Sequence, residues 1–170
     1  MSIVALDHVQ MAAPPGCEPA ARRFYGELLG LAELAKPEPL SERGGVWFGL
    51  GAQQLHIGVE TPFSPARKAH PAFRVSSPAL DALAERLSKA GAEVVWDHDL
   101  PGVRRLYTED PWGNRLELLA AMVPAGTRPS ASDLERSGRH LAEVLALAEA
   151  LPFRREEGLR FPRLPVPDRG

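Results

Sequence analysis

Over residues 2–121, apolar and polar residues alternate in short runs, broken by turn formers and interrupted by two stretches of helical period. "SIVALDHVQMA" (2–12) is β-branched and apolar enough for a strand, and "APPG" (13–16) ends it. "EPAARRFYGELLG" (18–30) predicts a helix. Ala21, Phe24, Tyr25 and Leu28 follow its period, Pro19 suits the first turn and Gly30 the left-handed position past the end. Three short strands are expected next: "LAELA" (31–35), "GVWFGL" (45–50) and "QQLHIGV" (53–59). The turn-rich "KPEPLSERG" (36–44) and Gly51 separate them. After the connector "ETPFSPARKA" (60–69) the order repeats. "HPAFRVS" (70–76) predicts a strand, and "SPALDALAERLSKAG" (77–91) a helix. In that helix Ser77 is the expected N-cap, Pro78 the first position and Gly91 the residue past the end. Leu80, Leu83, Leu87 and Ala90 form its apolar stripe. "AEVVWD" (92–97), "VRRLYTE" (103–109) and "RLELLAA" (115–121) complete the set, the last two joined by the turn "DPWGN" (110–114).

The chain thus spells β-α-β-β-β twice, within residues 3–60 and 70–121, a repeat of architecture more than of sequence. Each unit predicts a small, antiparallel-rich sheet with a helix on one face. Two units side by side predict an α+β domain over 1–122: a curved eight-stranded sheet with an open concave side. Beyond it the character changes. "VPAGTRPSAS" (123–132) reads as a linker, and "DLERSGRHLAEVLALAEAL" (133–151) as an amphipathic helix with Leu134, Leu141, Leu145 and Ala148 on one face. Residues 152–170 are proline-rich and without period. The C-terminal helix needs a surface to pack on.

Composition narrows the function classes. Of 170 residues, 44% are apolar and 25% charged, the balance of a globular chain. The net charge is −2 with both signs interspersed, which argues against a nucleic-acid footprint. No apolar run approaches the ~18–20 residues of a membrane span. Cys17 is the only cysteine, so no internal disulfide forms and a reducing, cytoplasmic setting fits. The first residues have no basic leader region, so no secretory signal is expected.

Strand parity gathers the candidate chemistry, because alternate side chains face opposite sides. His8 shares a face with Gln10, opposite Val9 and Met11. His56 shares a face with Gln54 and Gly58, opposite Leu55, Ile57 and Val59. His70 shares a face with Ala72 and Arg74, opposite Phe73 and Val75. Glu117 shares a face with Arg115, opposite Leu116 and Leu118. The apolar faces suit the helices, which leaves the polar faces for the concave side. His8 and His70 open their units, while His56 and Glu117 lie in the last strands, and the two offsets agree within one residue. A two-fold arrangement of the units would place all four around one centre. Three imidazoles and a carboxylate are good ligands for a divalent transition metal. Arg104 and Arg105 lie on opposite faces, so one should point inward; Arg74 also has inward parity. An inward arginine would suit a carboxylate or phosphate of the substrate. Trp47 and Tyr107 are aromatic candidates for the cavity wall. His98 and His140 sit among polar neighbours and read as surface residues.

The stretches "LDHV" (6–9), "RRFYGELLGL" (22–31), "HPAFRV" (70–75) and "EDPWGNRLELL" (109–119) resemble the vicinal oxygen chelate superfamily. That superfamily includes glyoxalase I, methylmalonyl-CoA epimerase, extradiol dioxygenases, fosfomycin-resistance thioltransferases and bleomycin-resistance proteins. The last stretch is the most specific, and the resemblance stops near residue 122. It implies that His8, His70 and Glu117 occupy the three shared metal-ligand positions. His56 would fall on a fourth, which glyoxalase I fills with glutamate and the epimerase with glutamine. The implied cofactor is one divalent ion: Zn, Ni, Co, Fe or Mn.

Four protein ligands would leave an octahedral metal two open positions for adjacent oxygens of a small-molecule substrate. The implied chemistry is that of an isomerase, lyase or epimerase working through a stabilised enediolate, with Glu117, or His56 while not ligated, as base. Without His56 the remaining two histidines and carboxylate match non-haem Fe(II) dioxygenases. A drug- or metabolite-binding resistance protein is the non-catalytic alternative. Arg74, Arg105, Tyr107 and Trp47 are the expected substrate contacts. The resemblance also implies a homodimer, since such cups are often completed across two copies.

Overall fold

The computed structural model describes residues 3–121. The linker, helix and proline-rich segment expected over 123–170, including His140, lie outside the described residues. The first module runs β1 (His8–Ala13), α1 (Glu18–Ala21), β2 (Glu33–Leu34), β3 (Val46–Leu50) and β4 (Gln53–Val59). The second runs β5 (Ala72–Arg74), α2 (Ser77–Lys89), β6 (Val95–Asp97), β7 (Val103–Glu109) and β8 (Arg115–Ala121). Each forms its own four-stranded mixed sheet, in the orders β1-β4-β3-β2 and β5-β8-β7-β6. The single eight-stranded sheet expected from the repeat is therefore two sheets among the described residues. β1 pairs parallel with β4 and β5 parallel with β8, and each stands at the edge of its own sheet.

Local chemistry accounts for the differences from the expected elements. β1 starts at His8, leaving Ile3, Val4 and Leu6 ahead of it 86%, 94% and 63% exposed. β5 is shortened to three residues, so His70 lies just ahead of the strand. Pro71 has no N–H to donate to a ladder, though its carbonyl still accepts from the Glu117 amide at 3.1 Å. The first helix is α-helical only to Ala21 and continues as a π-helix over Arg22–Leu28, where the Leu29 amide reaches the Phe24 carbonyl. The adjacent aromatics Phe24 and Tyr25 are both buried there. The N-cap of α2 is Ser76, one residue earlier than expected, with extended backbone and no side-chain capping bond. Leu80, Leu83 and Leu87 face inward as the period requires, with Ala84 in place of Ala90. The segment 36–44 contains a short 3₁₀ helix, Leu40–Arg43.

One continuous core joins the modules. Met11, Phe24, Tyr25, Phe48, Leu55 and Ile57 of the first belong to the same buried cluster as Leu80, Leu87, Leu106, Leu116 and Leu118 of the second. Burying each such side chain contributes about 1.5–3 kcal/mol. The β7–β8 turn "DPWGN" supplies the polar part of the junction. Asn114 Nδ2 donates to the Ala12 carbonyl of β1 at 2.9 Å and to Asp110 Oδ2 at 2.7 Å. The Tyr25 hydroxyl donates to the same carboxylate oxygen at 2.9 Å. Burial pushes the Asp110 carboxyl up, against the donors Asn114, Tyr25 and Trp112, which pull it down. Burial and the nearby Asp110 charge raise the Tyr25 phenol well above its ordinary value, so it acts as a donor. No helix among the described residues is long and apolar enough to cross a membrane.

Thr108 is an exception to this satisfaction. It sits on the core face of β7, and its buried Oγ1 finds no hydrogen-bond partner among the described residues. Thr108→Val keeps the shape and removes the stranded hydroxyl. It is expected to raise stability by about 1 kcal/mol, read as a higher urea midpoint at unchanged slope. A lowered midpoint would show that the hydroxyl is satisfied.

Candidate functional site

The core uses one face of each sheet, so the other faces are available for chemistry. On the first module that face carries His8, Gln10, Trp47, His56 and Gly58. The hairpin register places Trp47 directly opposite His56 on one side, and β1 places Gln10 opposite it on the other. His56 is 6% exposed and lies between two rings. Trp47 stacks on it at 3.9 Å between centroids and 3° between planes, and His8 at 4.3 Å and 17°. His56 Nε2 is 2.8 Å from Gln54 Oε1. Burial lowers the His56 pKa, the neighbouring His8 lowers it further, Asp7 opposes and Lys36 adds a smaller downward push. His8 is more open, with Nδ1 2.8 Å from Asp7 Oδ1. Gly58 leaves room for Gln10: a Cβ there would fall 2.8 Å from Gln10 Nε2.

On the second module the corresponding face carries Arg105, Tyr107 and Glu117, with His70 at its entrance. Tyr107 lies opposite Glu117 in the β7–β8 ladder. Glu117 is 8% exposed, and its Oε2 is 3.1 Å from His70 Nε2. Its Oε1 receives a long 3.4 Å contact from Arg105, whose Nε donates to Asp97 Oδ1 at 2.9 Å. Tyr107 meets the His70 ring edge-on at 5.6 Å, and the Arg115 guanidinium covers its face at 3.8 Å. Arg104 takes the opposite side of β7 and pairs with Asp81 of α2, so Arg105 is the inward member of that pair. Arg74 is exposed at the end of β5, and His98 is exposed as expected.

The donor pattern at His70 is informative. Its Nδ1 lies 2.8 Å from the Lys68 carbonyl, and its Nε2 faces the Glu117 carboxylate. Both ring nitrogens therefore face acceptors, whereas a neutral imidazole has one N–H. With the proton on Nδ1, a lone pair and a carboxylate oxygen confront each other. An imidazolium, with an N–H on each nitrogen, satisfies both acceptors, and so does a divalent cation at Nε2; a backbone carbonyl holding Nδ1–H is a usual way to orient a metal-binding histidine. The residues present thus fit a divalent ion chemically.

The four expected ligands come together as two pairs, His8 with His56 and His70 with Glu117, and not as one group. Among the described residues no three or more His, Cys, Asp or Glu side chains converge to hold a metal. The reason is the packing of the modules. Met11, Ile57 and Phe48 on one sheet, and Leu106 and Leu118 on the other, point into the shared core. The ligand-bearing faces lie on the reverse sides, so both turn away from that core. Pattern reading also overlooked the ring stack and the Tyr25–Asp110–Asn114 junction. The stack had a signal: a two-residue turn after Leu50 pairs it with Gln53 and so sets Trp47 against His56.

Comparisons with known proteins agree with this architecture. The family model of the glyoxalase-like domain matches residues 17–119. A crystal structure described as a glyoxalase family protein, from Bacillus anthracis, is 51% identical. It covers 72% of this chain and 98% of its own, with a TM-score of 0.68. The fosfomycin resistance protein FosX from Listeria monocytogenes is 20% identical over 71% of this chain and 96% of its own, TM-score 0.57. A glyoxalase/dioxygenase from Nostoc punctiforme is 21% identical over 72% and 99%, TM-score 0.59. The last two likenesses are of fold. No curated protein matches the chain. With two β-α-β-β-β modules, the family match over 17–119 and a relative at 51% identity, the chain belongs to the glyoxalase-like family of the vicinal oxygen chelate superfamily.

Proposed function

We propose that the protein is a metal-dependent enzyme of glyoxalase type, acting on a small molecule with adjacent oxygens. His8, His70 and Glu117, with His56 as a fourth candidate, hold one divalent ion. The observation that carries this is the His70 ring, which has acceptors at both nitrogens, one of them the Glu117 carboxylate. The ligand pairs lie on outward faces of one chain, so each cup is completed by a second copy. One chain brings His8 and His56, and its partner brings His70 and Glu117. The exposed Ile3, Val4 and Leu6 ahead of His8 give that partner an apolar strip to cover. In this reading residues 1–122 carry the chemistry and 123–170 extend it.

A divalent ion held there would bind the paired oxygens and stabilise the charge that develops when a proton leaves the adjoining carbon. Glu117, or His56 while not ligated, takes that proton. The lowered pKa of His56 leaves it neutral and able to accept one near neutral pH. Arg105 and Tyr107 flank Glu117, while Trp47 backs His56. Arg74, Arg105, Tyr107 and Trp47 are the proposed substrate contacts.

A second reading rests on the contact between His56 Nε2 and the Gln54 side chain. If that bond holds His56 off the metal, two histidines and a carboxylate remain, the set associated with non-haem Fe(II) oxygenases. Metal identification on the purified chain separates the readings. Nickel, cobalt or zinc is expected for an isomerase or lyase, and iron for oxygenation. His56→Ala is expected to lower metal affinity by about 100-fold or more if it is a ligand. Unchanged affinity removes it from the ligand set, and a chain that never binds metal overturns the proposal.

A further inference from the structure

We infer that the cleft between the first sheet and the segment 36–44 binds an anionic oxyacid group, a carboxylate or a phosphate, of the substrate. This rests on the proposed reaction for the identity of the other end of the ligand, but not for the cleft itself. The cleft has a volume of about 250 Å³ and is lined by Gln10, Lys36, Leu40, Arg43, Trp47 and Gly58, among others. Its lining includes two cations and no carboxylate. Lys36 is half-buried and donates to the Gly44 carbonyl, and neither it nor Arg43 forms an ion pair among the described residues. The second module's cavity, of about 340 Å³, differs: there Arg67 and Arg115 are balanced by Glu93 and Glu109. Beside the first cleft the Glu18 carboxylate, held on the Gly45 amide, acts on Lys36 electrostatically, so two cations face one carboxylate and a local positive excess remains.

The cleft is also rigidly built and well placed. Gly45 has φ +77°, and a Cβ there would lie 2.1 Å from the Ile57 carbonyl oxygen, so the segment closes onto β4 only with glycine. The Gly45 amide donates to Glu18 Oε1 at 2.7 Å, which ties the same turn to α1. The bare Gly58 backbone forms the floor and lets Gln10 lie across it. Trp47 is shared: it lines the cleft and stacks on His56. An anion held by Arg43 and Lys36, with its body along Trp47, would direct its far end to His56. The substrate class is then a small oxyacid with its reactive oxygens a few bonds from the charged group.

The test follows the Trp47 indole N–H resonance of the full-length, metal-analysed protein, assigned with Trp47→Phe. Phenyl phosphate, benzoate and neutral benzyl alcohol are the probes. Both anions are expected to shift the resonance saturably and the alcohol is not. Tighter binding of phenyl phosphate assigns a phosphoryl group to the natural ligand, and tighter binding of benzoate a carboxylate. Arg43→Gln is expected to weaken the anions about tenfold, whereas Arg104→Gln, far from the cleft, leaves them unchanged. Equal response to the alcohol, no saturable response, or full anion affinity in Arg43→Gln overturns the inference. The last result would place the anion on the metal. Anion binding by a chain that never takes up metal sinks only the proposed reaction. Metal binding with no anion response sinks only the cleft.

Discussion

Mixing a His8→Ala chain with a Glu117→Ala chain is expected to restore about a quarter of the metal sites that each variant lacks alone. Each substitution removes one proposed ligand and should cost metal affinity about 100-fold or more, since even groups that only orient a ligand cost 10–100-fold. In homodimers of either variant, every cup assembled across two copies is damaged. In a mixed dimer one cup carries both lesions and the other carries neither. Random pairing makes half the dimers mixed, so about a quarter of all cups are intact. The chains would be co-expressed with different tags, the mixed species isolated, and its bound metal measured, with about half of its cups expected to be filled. No recovery in isolated mixed dimers would show that each cup is built within one chain. A monomer by light scattering would sink the shared cup outright. The logic rests on the outward faces: one chain presents His8 beside His56 and, separately, His70 beside Glu117.

Asn114→Ala is expected to destabilise the protein by about 3 kcal/mol, although residue 114 touches no proposed ligand. Asn114 is 1% exposed and uses its whole amide. Its Nδ2 bonds the Ala12 carbonyl and Asp110, and its Oδ1 accepts from the Ala66 amide at 2.9 Å. Truncation leaves the part-buried Ala66 N–H and Ala12 carbonyl bonds unmade and takes one donor from the buried Asp110 carboxylate. Each unmet group costs about 1–3 kcal/mol. Asn114→Asp should be worse, because it sets a second carboxylate against Asp110. Arg104→Ala is the contrast. Its bidentate pair with Asp81 is at the surface, and its loss should leave the melting temperature within error. Chemical denaturation of the three variants checks this. A small loss for Asn114→Ala would show that the modules dock through their apolar core alone.

Much of this architecture is legible from local pattern. β4, β7 and β8 span the expected residues, because long alternating runs between tight turns leave one register. Elements whose form depends on distant partners were harder to read. β5 stops short because Pro71 cannot complete its ladder, and β2 keeps only two residues against β3. The π-helical stretch has no mark in the apolar period. Phe24 and Tyr25 suit an α-helix equally well until Tyr25 must reach Asp110, far along the chain.

The site divides in the same way. Parity is a property of a single strand, so sequence alone determined that His56 accompanies Gln54 and that Glu117 lies opposite Leu116 and Leu118. It also paired the modules, through matched positions in the two repeats. Which face each sheet commits to the core, and how the sheets meet, depends on contacts between residues far apart, such as Asn114 with Ala12 and Tyr25 with Asp110. Only the tertiary structure decided that the four candidates stand as two outward-facing pairs, that Arg105 rather than Arg104 borders Glu117, and that Lys36 and Arg43 share a cleft with Trp47. Alternation along a strand is enforced residue by residue, whereas docking is set by the summed burial of a shared core, which no local stretch encodes.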